Sequence, residues 1–83
     1  MAKASIIINP LDNVAVALRD LKKGEVHEGV ELCEDITKGH KFALRAIKRG
    51  EEVIKYGSSI AYATRDIPAG AHLHTHNVHT NLS

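Results

Sequence analysis

The chain has 83 residues, which is the length of one small domain. A domain of this size buries only about 60% of the surface that its unfolded chain exposes, so it leaves little room for an enclosed substrate cavity. Its 11 basic and 10 acidic residues nearly balance, and aromatic residues make up only 4% of the chain. This composition lacks the basic face and the stacking platforms that binding to nucleic acid requires.

The N-terminal segment and the cysteine content indicate the compartment. The first apolar run, at residues 6–8, is too short for the core of a signal peptide and far too short to span a membrane. Cys33 is the single cysteine, so it has no partner for an internal disulfide, which fits a reducing environment. We therefore expect a cytoplasmic protein that binds neither a membrane nor nucleic acid.

Short apolar stretches separated by Gly, Pro, Asn and Asp predict β-strands joined by tight turns. A helix competes near the start, because Val14, Leu18 and Leu21 lie at helical spacing. However, Val14, Val16 and Leu18 also alternate with alanines, and Pro68 disfavours a helix in the equivalent segment downstream. We therefore predict a compact all-β domain over residues 1–83, with strands at residues 5–8, 14–18, 30–33, 42–45, 52–55, 60–63 and 72–76.

An internal repeat sets the architecture. Arg19, Arg45 and Arg65 each precede a glycine by five positions, within the shared pattern Ala-x-Arg-(Asp/Ala)-(Leu/Ile)-x-x-Gly. The copies start 26 and then 20 residues apart, and this irregular spacing disfavours a solenoid of equal units. We expect one domain in which the same strand and turn recur, with glycine closing each turn. The arginines are expected to bind turn carbonyls, or to pair with Asp20 and Asp66, rather than to bind a shared ligand.

The run HLHTHN at positions 72–77 is the strongest functional signal. In an extended strand alternate side chains share a face, so His72, His74 and His76 would lie together. Imidazole titrates near neutral pH and is the commonest metal ligand, so this spacing indicates a metal, proton-transfer or anion site. The nearest acid along the chain is Asp66, so further ligands would come from another domain or chain. His79 has the opposite parity, and we interpret it as incidental.

Three motifs carry a family resemblance: GHKFAL at positions 39–44, VIKYG at 53–57 and HLHTHN at 72–77. In this order they resemble the N-terminal domain of altronate and galactarate dehydratases, and the segment NPLDNVAVAL at 9–18 looks most like the altronate branch. The resemblance covers nearly the whole chain. It implies a small SAF-type domain with a β-clip fold, built from short strands and glycine turns.

The resemblance also implies a function, namely the small subunit or N-terminal domain of a sugar-acid dehydratase. Such an enzyme is a hydro-lyase, which removes water from its substrate. A large catalytic subunit or domain would form most of the active site, and this domain would cover it without being active alone. The implied cofactor is a divalent metal, Fe²⁺ or Mn²⁺, since such an ion can stabilise the enolate and the leaving oxygen.

The expected site residues combine this resemblance with the histidine run. The predicted catalytic residues are His74 and His76, the predicted metal ligands are His72, His74 and His76, and the predicted substrate-binding residues are His40, Lys41 and Asn77. A cation beside an imidazole suits the carboxylate of a sugar acid, and backbone N–H groups near Gly39 can assist.

Two alternatives remain open. One is the small subunit of a sulfolactate sulfo-lyase, which has the same architecture and cleaves a carbon–sulfur bond. The other is a non-catalytic carbohydrate- or acid-binding module that regulates or assembles an enzyme. The sequence also leaves open whether the chain is a separate subunit or an excised domain. Exposed strand edges in so small a domain favour self-association into a homo-oligomer.

Overall fold

A computed structural model describes residues 3–80, and every regular element in that range is a β-strand. The strands in chain order are β1 (Ser5–Ile6), β2 (Val14–Ala17), β3 (Val26–His27), β4 (Val30–Glu31), β5 (Lys41–Ala43), β6 (Glu52–Lys55), β7 (Ser58–Ala63), β8 (His72–Leu73) and β9 (Val78–Thr80). The all-β prediction is confirmed, although several strands are shorter than expected and sequence patterning does not predict β3 or β9. None of the described residues belongs to a helix that is long and apolar enough to cross a membrane. The ends of the predicted domain, residues 1–2 and 81–83, lie outside the described residues.

Two antiparallel sheets and a hairpin make up the fold. The larger sheet has four strands in the order β1-β2-β5-β8, the smaller has three in the order β6-β7-β9, and β3 pairs with β4. Val14 and Ala15 of β2 lie opposite Ala43 and Phe42 of β5, and Phe42 also lies opposite His72 of β8. Segments that are distant in sequence therefore meet in the four-stranded sheet, which brings the C-terminal histidine run beside β5.

Side chains on both faces of the four-stranded sheet are buried. Val14, Ala43 and Leu73 belong to one hydrophobic cluster, whereas Ala15 and Phe42 belong to another. Since successive residues of a strand point to opposite faces, the sheet separates the two clusters. Phe42 is 0% exposed and fills the second cluster beside the strand that carries His72.

The repeat that the arginines mark three times in the sequence occurs four times in the structure. Four repeat units with the same turn occupy residues 17–25, 32–40, 43–51 and 63–71. They associate in two pairs. Leu21 and Ile36 exchange backbone hydrogen bonds of 2.8 and 2.9 Å, and Ile47 and Ile67 exchange bonds of 2.8 and 2.7 Å. The unit at 32–40 does not match the sequence pattern, because Leu32 and Glu34 stand in place of its alanine and arginine.

Aspartates join the paired units. Asp20 accepts a hydrogen bond from the backbone N–H of Lys38, and Asp35 accepts one from that of Lys23, each at 2.9 Å. Asp66 makes the equivalent bond in the second pair, also at 2.9 Å. These aspartates stabilise turns, and the predicted pairing of Asp20 and Asp66 with the arginines is absent from residues 3–80.

Arg19 and Arg45 bind turn carbonyls, which is the other structural role predicted for the arginines. The Nη1 atoms of Arg19 and Arg45 donate to the carbonyl of the next residue, at 2.9 and 3.2 Å. Each also forms an ion pair with a glutamate of its own unit, Arg19 with Glu25 at 3.3 Å and Arg45 with Glu51 at 3.5 Å. The structural interpretation is therefore confirmed for these two arginines.

Gly70 allows two repeat units from different pairs to approach each other closely. Its φ of 84° favours glycine, and a Cβ atom at this position would collide with the Glu31 carbonyl oxygen. The Gly70 carbonyl also accepts a hydrogen bond from the Cys33 N–H at 3.1 Å. The chain around residues 31–34 therefore lies directly against the start of β8 and the histidine run.

Candidate functional site

The histidine run leaves the strand after Leu73, where β8 ends and a turn begins. Asn77 explains the turn. Its side-chain oxygen accepts from the His74 N–H at 3.0 Å, and its amide donates to the His72 carbonyl at 2.8 Å. Asn77 is buried, and both its oxygen and its nitrogen are satisfied by these backbone groups. The strand predicted over residues 72–76 is therefore confirmed only for His72 and Leu73, because a local turn replaces the rest.

The imidazole rings of the run nevertheless lie close together, and the ring of His40 lies beside them. The ring centroid of His72 lies 5.6 Å from those of His74 and His76, and the centroid of His40 lies 4.8 Å from that of His72 and 5.2 Å from that of His74. These four residues form the histidine cluster. His40 reaches the cluster because it directly precedes β5, whose Phe42 pairs with His72. A turn and a neighbouring strand, rather than one extended strand, group the rings.

One contact within the cluster is a hydrogen bond. The Nδ1 atom of His40 and the Nε2 atom of His72 are 2.7 Å apart. A hydrogen bond between two imidazoles needs a proton on one nitrogen and a lone pair on the other. At least one of these nitrogens therefore lacks a proton, and the pair can pass a proton between two rings.

The surroundings of His72 favour its neutral form. Burial lowers the pKa of His72 below its usual value, and the charge that His40 can carry lowers this pKa further. The carboxylate of Glu34 raises the pKa of His72, whereas His76 and His74 lower it. Neutral imidazole is the form that accepts a proton or binds a metal ion. His72 is thus suited to either task near neutral pH.

Glu34 is a neighbour of the cluster that sequence spacing does not reveal. Its Oε2 atom accepts from the backbone N–H of His72 at 3.0 Å, although the two residues are 38 positions apart. The acid nearest along the chain, Asp66, binds a turn instead. The signal that could have identified Glu34 is the repeat unit 32–40, where Glu34 stands in place of an arginine.

Lys41 lies on the other face of the four-stranded sheet. It pairs with Leu73, whereas its neighbour Phe42 pairs with His72. Consecutive strand residues point to opposite faces, so the structure does not bring Lys41 into the histidine cluster. Burial lowers the pKa of Lys41, and the charge of Lys55 lowers this pKa further. The electrostatic neighbour of Lys41 is thus another cation.

The three predicted metal ligands, His72, His74 and His76, all belong to the histidine cluster. Within residues 3–80, no three His, Cys, Asp or Glu side chains are arranged to hold a metal ion. Imidazole nitrogen is a suitable ligand for iron, but the Nε2 atom of His72 is engaged with His40. As arranged, the cluster fits proton transfer better than metal coordination, and the metal stays a prediction for experiment.

The histidine cluster lies on an open surface. The side chains of His74 and His76 are exposed, and those of His40 and His72 are half-buried. The part of the chain that the structure describes forms no pocket around them. The two exposed imidazoles are therefore accessible to a second protein surface as well as to a small molecule.

The fold and this cluster define a class of protein, a small all-β domain with glycine-closed repeat units that displays imidazoles on an open surface. Comparison with protein families identifies the family within this class. The family described as the altronate/galactarate dehydratase SAF domain matches residues 3–81. The chain belongs to this family, so the resemblance noted in the sequence is confirmed.

The two altronate dehydratases that this chain resembles are several times its length. Altronate dehydratase of Escherichia coli strain K12 is 56% identical over 82 residues, which cover 94% of this chain and 17% of that protein. Altronate dehydratase of Bacillus subtilis strain 168 is 47% identical over 85 residues, or 98% of this chain and 17% of that protein. The alpha subunit of (2R)-sulfolactate sulfo-lyase from Paracoccus pantotrophus is 50% identical over 46 residues, covering 55% of this chain and 69% of the subunit. The chain thus spans a small part of the two dehydratases and most of the sulfo-lyase subunit.

Proposed function

We propose that this chain is the SAF domain of a sugar-acid dehydratase and covers an active site formed mainly by a large catalytic domain or subunit. Family membership supports this proposal, and so does the 17% share of each altronate dehydratase that the chain matches. The open position of the cluster agrees with it, because His74 and His76 are exposed and accessible to another domain. We also propose a cytoplasmic location, which the single cysteine supports.

The hydrogen bond of 2.7 Å between His40 and His72 is the observation that carries the acid–base part of the proposal. Dehydration of a sugar acid removes the proton next to the carboxylate and expels the β-hydroxyl group. The electrons of the C–H bond form the new C=C bond, the C–O bond breaks, and the leaving oxygen takes a proton to become water. Both proton transfers need groups that titrate near neutral pH, and imidazole is such a group.

We assign the proton transfers to the exposed imidazoles. In this proposal His74 and His76 contact the substrate, and one removes the α-proton while the other protonates the leaving hydroxyl. The half-buried pair His40 and His72 accepts and returns protons behind them, since its short hydrogen bond connects two rings. His40 also binds the substrate carboxylate when its ring is protonated.

Two residues predicted to bind the substrate, Asn77 and Lys41, are not assigned that contact in this proposal. Asn77 holds the turn that carries His74 and His76, through its bonds to backbone groups. Lys41 lies on the opposite face of the sheet, so we do not assign it a contact with the same substrate. The Fe²⁺ or Mn²⁺ expected from the resemblance stays a prediction, which elemental analysis of the assembled enzyme checks.

A second candidate function is that of a sulfo-lyase small subunit. The observation that favours it is coverage, because the chain matches 69% of the sulfolactate sulfo-lyase alpha subunit but only 17% of the altronate dehydratases. The proton chemistry is parallel, except that a carbon–sulfur bond breaks in place of the carbon–oxygen bond. The same imidazoles therefore serve either reaction, and substrate choice depends on the larger partner.

The test is an assay of the assembled enzyme, with its large catalytic part, on altronate, galactarate and sulfolactate. We expect turnover of a sugar acid, and we expect the double variant H74A/H76A to lower kcat by about 100-fold or more, as loss of general acid–base catalysis does. His27→Gln is the control, because His27 belongs to the β3–β4 hairpin, where its Nε2 atom lies 2.7 Å from Glu25 Oε1. An unchanged kcat in the double variant contradicts the assignment, and turnover of sulfolactate alone favours the second candidate.

A further inference from the structure

The four repeat units combine one backbone with different side chains, so they can be compared position by position. In the units 17–25 and 43–51, an arginine at the third position forms an ion pair with a glutamate at the ninth. In the unit 32–40 these positions hold Glu34 and His40. The unit 32–40 therefore has an acid and an imidazole where these two units have the ion pair, whereas the unit 63–71 keeps Arg65 but has Ala71 at the ninth position.

The backbone of the unit 32–40 does not require this exchange. Its Gly39 N–H donates to the Ala17 carbonyl at 2.8 Å, just as Gly24 in the partner unit donates to the Leu32 carbonyl at 2.8 Å. The turn and its closing bond are thus the same with either pair of side chains. Local folding does not explain why Glu34 and His40 occur here.

Both exchanged residues bind His72. Glu34 Oε2 accepts from the backbone N–H of His72 at 3.0 Å, and His40 Nδ1 lies 2.7 Å from His72 Nε2. One repeat unit thus holds His72 at two points, on its backbone and on its ring. We propose that Glu34 is a positioning residue that acts through His72. This inference rests on the proposed function of the histidine cluster.

The segment that carries Glu34 is held in place by buried residues before and after it and by a backbone hydrogen bond. Leu32 and Ile36 are each 1% exposed, and the Cys33 N–H donates to the Gly70 carbonyl at 3.1 Å. The strand β8, which the Glu34 carboxylate contacts, is an edge strand of the four-stranded sheet, with β5 as its neighbour. A fixed carboxylate can therefore hold the start of β8, and with it the ring of His72, at the distance that the bond to His40 needs.

The first test compares Glu34→Ala with Arg45→Ala, which removes the residue at the same position of the unit 43–51. Ring nitrogen and carbon signals of His40 and His72 in the 83-residue protein report their hydrogen bond by NMR. We expect Glu34→Ala to shift these signals and to lower kcat of the assembled enzyme about 10- to 100-fold, with little change in KM. Glu34→Gln keeps an acceptor oxygen and should restore both readouts, while Arg45→Ala should leave them unchanged. If Glu34→Ala changes neither readout, the inference is wrong.

The second test gives the unit 32–40 the arginine and glutamate of the units 17–25 and 43–51. The double variant E34R/H40E restores the arginine and glutamate, and we expect it to fold with a Tm no lower than that of the wild type. Its His72 ring should lose the hydrogen-bonded signals, because the ring of His40 that binds it is removed. Loss of folding would overturn the inference, since the fold itself would then require Glu34 and His40. Failure of the proposed function is seen separately, as an unchanged kcat in H74A/H76A, while the NMR signals still decide the role of Glu34.

Discussion

The two faces of the four-stranded sheet carry similar apolar clusters but different polar groups. On one face Phe42 lies opposite His72, and His40 is hydrogen-bonded to the His72 ring. On the other face Lys41 lies opposite Leu73, and the charge of a second lysine helps to lower the pKa of Lys41. The first face carries imidazoles, whose ordinary pKa lies near neutral pH, whereas the second carries amines, whose ordinary pKa is about 10.4. One step along β5 therefore separates the candidate catalytic surface from a cationic surface.

This difference shows that strand register places the candidate site. His40, Lys41 and Phe42 are consecutive in sequence, so sequence proximity predicts that the first two act together. In a strand with a period of two, neighbours lie on opposite faces, and a slip of one residue would exchange them. The buried side chain of Phe42 fixes the register, because its exposure would cost its whole contribution to the core.

The largest expected effect comes from the core under the imidazole face. Phe42→Ala should lower the free energy of unfolding by about 3–5 kcal/mol, as truncation of a buried phenylalanine does. It should also shift the His40 and His72 ring signals. Val53→Ala lies in the other apolar cluster and is the matched control. Denaturant titration measures the stability, and if both variants shift the ring signals equally, the two faces are not independent.

The next effect is on activity. His40→Ala removes one ring of the hydrogen-bonded pair and should lower kcat of the assembled enzyme about 10- to 100-fold. Lys41→Met removes the charge on the opposite face and should leave kcat near that of the wild type. Steady-state kinetics on a sugar acid check both variants. Equal losses would show that the substrate contacts both faces, which contradicts the assignment of the site to one of them.

A smaller effect concerns the turn that groups the rings. Asn77→Ala removes one hydrogen bond to His74 and one to His72, and should lower the free energy of unfolding by about 1–3 kcal/mol. Asn77→Asp keeps the acceptor but loses the donor, so its loss should be intermediate. Asn9→Ala, in another turn, is the control and should not move the ring signals. Thermal unfolding and NMR together test whether Asn77 groups the imidazoles.

The smallest effect is on the pH dependence of stability. The folded pKa values of His72 and Lys41 are both lowered, so the unfolded chain binds more protons just below their ordinary values of 6.5 and 10.5. The free energy of unfolding should therefore rise with pH in each window and fall as the pH drops through the folded pKa. His72→Gln should flatten the first window, and Lys41→Met the second. Denaturant titration across pH checks this, and the opposite slope in either window contradicts the assigned burial.

The local features of this protein follow from short-range patterns in its amino-acid sequence. Alternating apolar residues and glycine turns predict an all-β domain, because both signals depend on neighbours only a few positions away. The arginine repeat correctly indicates a structural role, since Arg19 and Arg45 bind carbonyls one residue further on. The motifs at 39–44 and 72–77 identify the family and contain all four members of the histidine cluster.

The contacts among these residues depend on how distant segments pack together. His40 contacts His72 across 32 positions, and Glu34 contacts it across 38, through the pairing of β5 with β8 and of one repeat unit with another. Sequence periodicity does not encode such pairings, because they depend on which distant strands share a core. It also missed that a buried Asn77 would end the strand and that Lys41 would lie on the far face. The physical reason is the same in each case: register and burial are set by long-range contacts, and they select which side chains share a surface.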